Sequence, residues 1–231
     1  MSGELAVFTP AHPKRIGETR SMAAQRREQS QEDADNYVDG RFNTSSRMRR
    51  LGETELEFAR KLMALVGPEA TIADIPCGSG RFLPILSGAR ELLMIDRSEK
   101  MLNAARKQNS IPEHVTLSLG DATDLSVADG SVDLAFCMRL FQHFEGSEMR
   151  QTVLRELVRI SRRYVALSFY CTGSWRYWRR AIRGKKSAGY PIPMGTMLAE
   201  AEACGLRLEW RHPRFQLIEQ QRLLLFSKCQ A

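Results

Sequence analysis

Apolar positions along the chain fall into two alternating periods. From Glu53 to Val66 they recur at helical spacing, with Leu56, Ala59, Leu62, Met63 and Val66 on one stripe, and Gly67-Pro68 ends the pattern. A short apolar run from Thr71 to Asp74 then leads into a glycine turn and reads as a buried strand. Helices are expected over Arg81–Leu86, where Pro84 must sit in the first turn, and over Glu99–Lys107 behind a Ser98 cap. Two more are expected over Ser147–Ile160 and over Thr196–Cys204, which Gly205 ends. Strands are expected over Glu91–Ile95, Val115–Leu119, Val132–Cys137 and Tyr164–Tyr170. Leu206–Trp210 and Arg222–Phe226 read as a late antiparallel pair. Alternation of this kind predicts an α/β domain built on a mostly parallel sheet.

In such a sheet, ligands bind outside the carboxyl ends of the strands. The turn Asp74-Ile75-Pro76-Cys77-Gly78-Ser79-Gly80 lies at that place, and its glycines admit positive φ and a close ligand approach. A dinucleotide fingerprint would require a third glycine three residues after Gly80, where Leu83 stands. The second strand ends at Asp96, a carboxylate able to accept both hydroxyls of a ribose. An acid four residues before Gly78 suits a ligand with a cationic end better than a pyrophosphate.

These residues resemble motif I of the class I S-adenosylmethionine-dependent methyltransferases, usually D-x-G-x-G-x-G, in their small-molecule branch. Asp96 matches the acid that ends that family's second strand. Pro76 departs from the pattern by replacing the first glycine, which fixes φ and removes one N–H. The resemblance covers roughly residues 50 to 230. It implies a Rossmann-like, seven-stranded, mostly parallel sheet with helices on both faces and a C-terminal antiparallel strand pair. It also implies S-adenosyl-L-methionine as cofactor and S-adenosyl-L-homocysteine as product. On this likeness Asp74, Pro76, Cys77, Gly78 and Gly80 hold the methionine end, and Asp96, with Arg97 beside it, the ribose. Gly120-Asp121-Ala122 resembles the family's G-D-A segment, which makes Asp121 and Ala122 the adenine contacts. Met101 packs on the adenine face, and Met138 closes the pocket from the fourth strand. Tyr37 and Arg41, in a segment before the sheet, are candidates for covering the methionine end.

The acceptor side is expected at the mouth of strand four, Met138-Arg139-Leu140-Phe141-Gln142-His143-Phe144. His143 is the histidine nearest that cleft, and an imidazole, with a free pKa of about 6.5, can take a hydroxyl proton at neutral pH. Arg139 is placed to pair with an anionic substrate group or the cofactor carboxylate. The Asn/Asp-Pro-Pro-Tyr signature of base amino methylation is missing, and so is a Pro-Cys at strand four.

A further stretch, Arg162 to Lys186, carries eight basic residues and no acid, interleaved with aromatic residues. Within it Trp175, Trp178 and Ile182 share one helical face, with arginines largely around it, the pattern of an interfacial helix. The resemblance puts a substrate lid here, over residues 171–193, with Tyr170, Trp175, Trp178, Arg179 and Arg180 as substrate contacts. Binding of RNA through phosphate contacts and stacking is the competing reading, and a solvated surface segment the plainest one.

Composition adds bounds. The 231 residues suit one domain over 36–231 with a polar tail at 1–35. A net charge of +7 points to an anionic partner: a small-molecule or lipid-linked anionic substrate, peripheral membrane contact, and less readily nucleic acid. Five scattered cysteines without metal-ligand spacing read as reduced thiols of a cytoplasmic protein, peripheral at most to the inner membrane face. The expected activity is methyl transfer to a small, anionic, glycan or lipid-linked acceptor, with oxygen favoured. Beside it stand an RNA methyltransferase and a cofactor-binding regulatory subunit without turnover.

Overall fold

The computed structural model describes residues 45–185, 189–212 and 219–229. Tyr37, Arg41 and the expected tail lie outside the described residues. Seven strands form one sheet in the order β3-β2-β1-β4-β5-β7-β6. They are β1 (Thr71–Asp74), β2 (Glu91–Asp96), β3 (Val115–Leu119), β4 (Val132–Cys137), β5 (Ser161–Tyr170), β6 (Leu206–Arg211) and β7 (Gln221–Lys228). All neighbours from β3 to β5 are parallel, whereas β7 runs antiparallel to both β5 and β6. The expected mixed sheet is therefore present.

Because side chains alternate across a strand, the two faces carry separate cores. Ile72, Leu92, Met94, Leu134, Phe136, Ala166 and Leu225 point to one side. There they meet α1 (Ser46–Val66), α2 (Leu83–Leu86) and α3 (Glu99–Gln108). Ala73, Ala135, Cys137, Val165, Leu167, Leu224 and Phe226 point to the other, against α4 (Ser147–Ile160) and α6 (Met194–Ala203). Burying both faces explains why β1 is covered along its whole length.

Several boundaries moved, each for a local reason. The first helix begins seven residues before the expected Glu53, because the Ser45 hydroxyl accepts from the Met48 N–H and caps an earlier turn. Its buried face also differs: Leu51, Glu55, Phe58, Ala59 and Leu62 are buried, and Leu56, Met63 and Val66 only partly. The Arg81 helix shrinks to Leu83–Leu86, with Pro84 in its first turn. Strand β5 starts at Ser161 rather than Tyr164, since Ser161 pairs with Val132. A short helix, α5 (Trp175–Ile182), stands between β5 and α6 behind a Ser174 cap.

Candidate active site

The glycine turn leaves the carboxyl end of β1 at the centre of the sheet and is fixed from both sides. The Ile75 N–H donates to the Phe136 carbonyl of β4 at 2.9 Å, and the Cys77 N–H to the Ile95 carbonyl of β2 at 2.9 Å. The Ile75–Pro76 peptide is cis. Gly78 and Gly80 have φ of 56° and 79°, values that favour glycine. At Gly80 space is a second reason, because a Cβ would lie 3.1 Å from Asn109 Nδ2 and 3.2 Å from Met94 Cε.

Two carboxylates flank this turn in unlike states. Asp96 accepts from the Gly78 N–H through Oδ2 and from the Ser98 N–H through Oδ1, both at 2.9 Å. It thereby joins the turn after β1 to the turn after β2. Asp74 is 1% exposed, and neither of its oxygens has a hydrogen-bond partner. Burial pushes its pKa well above the ordinary 3.8, and the Asp96 charge adds to the rise. Burial likewise raises the Cys77 thiol, with Asp74 and Asp96 contributing. The Ser79 hydroxyl in the same turn is buried without a partner. Orphaned anionic and polar atoms beside an open glycine turn fit the cationic methionine end of S-adenosylmethionine, since a buried carboxylate is costly until it is paired.

After β3, the Gly120 N–H donates to the Asp96 carbonyl at 3.1 Å, which brings the Asp121 segment beside the same turn. Asp121 Oδ1 accepts from the Thr123 N–H at 2.9 Å and its hydroxyl at 2.7 Å, closing a local turn, and Asp121 is exposed with Ala122 half-buried. Met101 and Met138 are buried and Arg97 is exposed.

At the mouth of β4 the backbone of Arg139 has φ of 59°, unusual for a residue with a side chain. Its N–H donates to Ser168 Oγ at 2.7 Å and its Nε to Glu55 Oε1 at 2.6 Å. Glu55 is fully buried on α1 and also accepts from Arg81 and from the Gln221 amide. Burial alone would raise the Glu55 pKa, but the Arg139 and Arg81 guanidiniums outweigh it and hold the carboxyl below its ordinary value. Arg139, expected on the acceptor side, is thus built into a buried cluster uniting α1, the glycine turn, β4 and β7. Sequence reading missed Glu55, Arg81 and Gln221. The signal for Glu55 was an acid set four residues after Leu51 and three before Phe58, inside the apolar stripe.

His143 closes a 3-10 turn, Phe141–His143, and is half-buried, with its Nε2 3.4 Å from Gln142 Nε2. Gln142 donates through Nε2 to the Arg139 carbonyl at 2.6 Å, and its buried Oε1 has no partner. The chain returning from α5 lies against this turn: the Tyr190 N–H donates to the Gln142 carbonyl at 2.8 Å. The segment's two ends are tied at its base, where the Ile192 N–H donates to Tyr170 at 2.7 Å and the Thr172 N–H to Ile192 at 3.3 Å. Tyr170 is half-buried at that base. On α5, Trp175 and Trp178 are exposed, Arg179 is exposed and Arg180 half-buried, and Arg176 Nε lies 3.6 Å from Glu219 Oε2.

Among the described residues no group of histidines, cysteines and acids could hold a metal ion. All five cysteines are free thiols. No described helix is long and apolar enough to cross a membrane. A groove of about 340 Å³ lined by Lys61, Leu62, Leu65, Tyr164, Trp210 and Leu225 lies toward the start of β5, remote from the strand ends that carry Asp74 and Asp96.

Residues 73–168 match the family described as a methyltransferase domain. A tRNA (carboxymethyluridine(34)-5-O)-methyltransferase of Macaca fascicularis is 31% identical over 93 residues, 39% of this chain. A malonyl-acyl-carrier-protein O-methyltransferase of Methylococcus capsulatus is 36% identical over 100 residues, 42% of this chain. The matches span 13% and 35% of those relatives' own lengths. Among solved structures, the magnesium protoporphyrin IX methyltransferase of Synechocystis PCC 6803 with bound SAH superposes with a TM-score of 0.69 at 14% identity, covering 86% of this chain and 97% of that one. A Haloferax volcanii putative methyltransferase, solved with the Trm112 activator, superposes at 0.62 with 17% identity, covering 86% and 98%. Residues 73–168 thus match a methyltransferase domain, and the chain shares the Rossmann-like fold of those solved structures.

Proposed function

We propose that this domain makes the chain an S-adenosylmethionine-dependent methyltransferase acting on a small anionic acceptor, glycan or lipid-linked, at oxygen. The observation that carries the reading is Asp74: a fully buried carboxylate with two unpartnered oxygens, beside Gly78 and Gly80 at the head of the central strand. Asp74 and the Cys77–Gly80 turn bind the methionine end, Asp96 the ribose, and Asp121 with Ala122 the adenine, with Met101 and Met138 packing around it. When bound, the cofactor supplies a methyl group already activated by a sulfonium.

What remains for the protein is alignment and exclusion of water, which in such reactions contributes roughly 7–11 kcal/mol. A base is needed only where the acceptor loses its proton before or during attack. For a hydroxyl acceptor His143 takes that proton, its Nε2 turning from the Gln142 amide to the substrate. Arg139, fixed by Glu55, shapes the wall of the acceptor pocket, and the α5 segment covers it. Oxygen as acceptor is supported by the names of two curated relatives, each an O-methyltransferase.

Radiolabelled cofactor incubated with the purified chain and a cell extract tests this. Label is expected in a low-mass or organic-soluble product that survives ribonuclease. RNA is the second reading, supported by the tRNA-modifying relative and the acid-free basic stretch from Arg162 to Lys186, and ribonuclease-sensitive label would establish it. Cofactor binding without transfer to any fraction would instead support a regulatory subunit. No response to the cofactor, with one to a nicotinamide nucleotide, would overturn the reading altogether.

A further inference from the structure

Helix α5 is amphipathic with its faces reversed. Residues three and seven apart share a helix face, and Trp175, Trp178 and Ile182 do so with exposures of 61%, 56% and 81%. None of the eight residues of the helix is buried. The side turned to the body is polar instead: Arg176 approaches Glu219, which also forms an ion pair with Arg47 of α1. A helix packed for stability alone would point its tryptophans inward.

We propose that α5 is a docking surface for an anionic lipid bilayer. Trp175, Trp178 and Ile182 enter the interfacial layer, and Arg179, Arg183 and Lys185 meet lipid phosphates. All three basic side chains are exposed, and no acid occurs between Arg162 and Lys186 to oppose such contact. Tryptophan suits the interface because its ring is apolar and its N–H polar, and arginine reaches the headgroups over its apolar stem. The exposed face fits other occupants less well. Ile182, the most exposed of the three, offers no ring for a base to stack on. A symmetric contact with a second copy would set the arginines of one α5 against those of the other.

Position gives the surface a use. Strand β5 is parallel to β4, and α5 follows its carboxyl end, so docking brings Asp74, Arg139 and His143 to the bilayer side of the molecule. The bonds between Tyr170, Thr172 and Ile192 fasten the segment at its base. Binding needs no turnover, so this inference stands or falls separately from the methyl-transfer reading.

Flotation of the full chain with vesicles tests it, using phosphatidylcholine alone or mixed with phosphatidylglycerol. Co-flotation is expected only with the anionic mixture, weakening with salt, together with a blue shift of tryptophan emission. The variant Trp175→Ala/Trp178→Ala/Ile182→Ala should bind about tenfold or more weakly, and Arg179→Glu/Arg183→Glu should lose the preference for anionic lipid. Unchanged circular-dichroism melting guards both variants against misfolding. Equal binding to both vesicle types, or full binding by the triple variant, would overturn the proposal. So would a dimer, or an RNA complex, that the triple variant abolishes while vesicles go unbound.

Discussion

Arg139, at the mouth of β4, donates through Nε to the buried carboxylate of Glu55 on α1 at 2.6 Å. The bond joins α1, which ends at Val66 ahead of the glycine turn that starts at Asp74, to the mouth of β4, with Arg81 just after the turn as a third member.

Glu55→Gln should destabilise the protein by about 3 kcal/mol, because removing one partner leaves buried guanidinium charge uncompensated. Urea unfolding measures the loss. Glu55 titrates below its ordinary 4.5 in the folded chain, so the stability it adds is present above that value and disappears as pH falls through the lowered one. The gap between wild type and variant should close over that acid range. A pH-independent gap would remove the ion pair as its cause.

Asp74→Asn should do the opposite to the ligand-free protein. The Asp74 pKa is raised, so its favourable contribution is complete below 3.8 and is lost as pH rises through the folded value. Thermal melts at neutral pH should therefore favour the variant, and the difference should fade as pH falls toward 3.8. Calorimetry should show cofactor affinity reduced about tenfold or more, since the charge-assisted contact is gone. Retained affinity would place the cationic end elsewhere.

His143→Ala should lower turnover about a hundredfold with a hydroxyl acceptor while leaving cofactor affinity intact, the size expected for a lost general base. Full activity would make His143 a packing residue.

Gly189→Ala probes the return of the α5 segment. A Cβ there would lie 2.5 Å from the Gln142 carbonyl oxygen, a clash with backbone that neither side can relieve without moving apart. The Michaelis constant for the acceptor should rise severalfold while calorimetry shows cofactor binding unchanged. An unaltered constant would separate this segment from the acceptor pocket.

What could be read without coordinates was what repeats locally or lies close in sequence. Strand and helix periods located the seven strands and the main helices, since each reports on a face a few residues wide. The turn from Asp74 to Gly80 and the acid at Asp96 were legible because a tight turn at a strand end restricts which residues can occupy it. Helix ends were less so: Ser45 caps α1 through a side chain that hydrophobic spacing does not register.

Other facts depended on chain segments far apart in sequence. Glu55, Arg81, Arg139 and Gln221 span 166 positions between first and last, and no local pattern announces that one buried acid will hold all three partners. The same sequence could have turned Trp175, Trp178 and Ile182 inward, as amphipathic spacing usually implies. The tertiary structure decided otherwise: Arg176, on the side away from the tryptophans, reaches toward Glu219, while Trp175, Trp178 and Ile182 stay exposed. Periodicity shows that a helix has two faces; only the packed neighbours determine which one meets water.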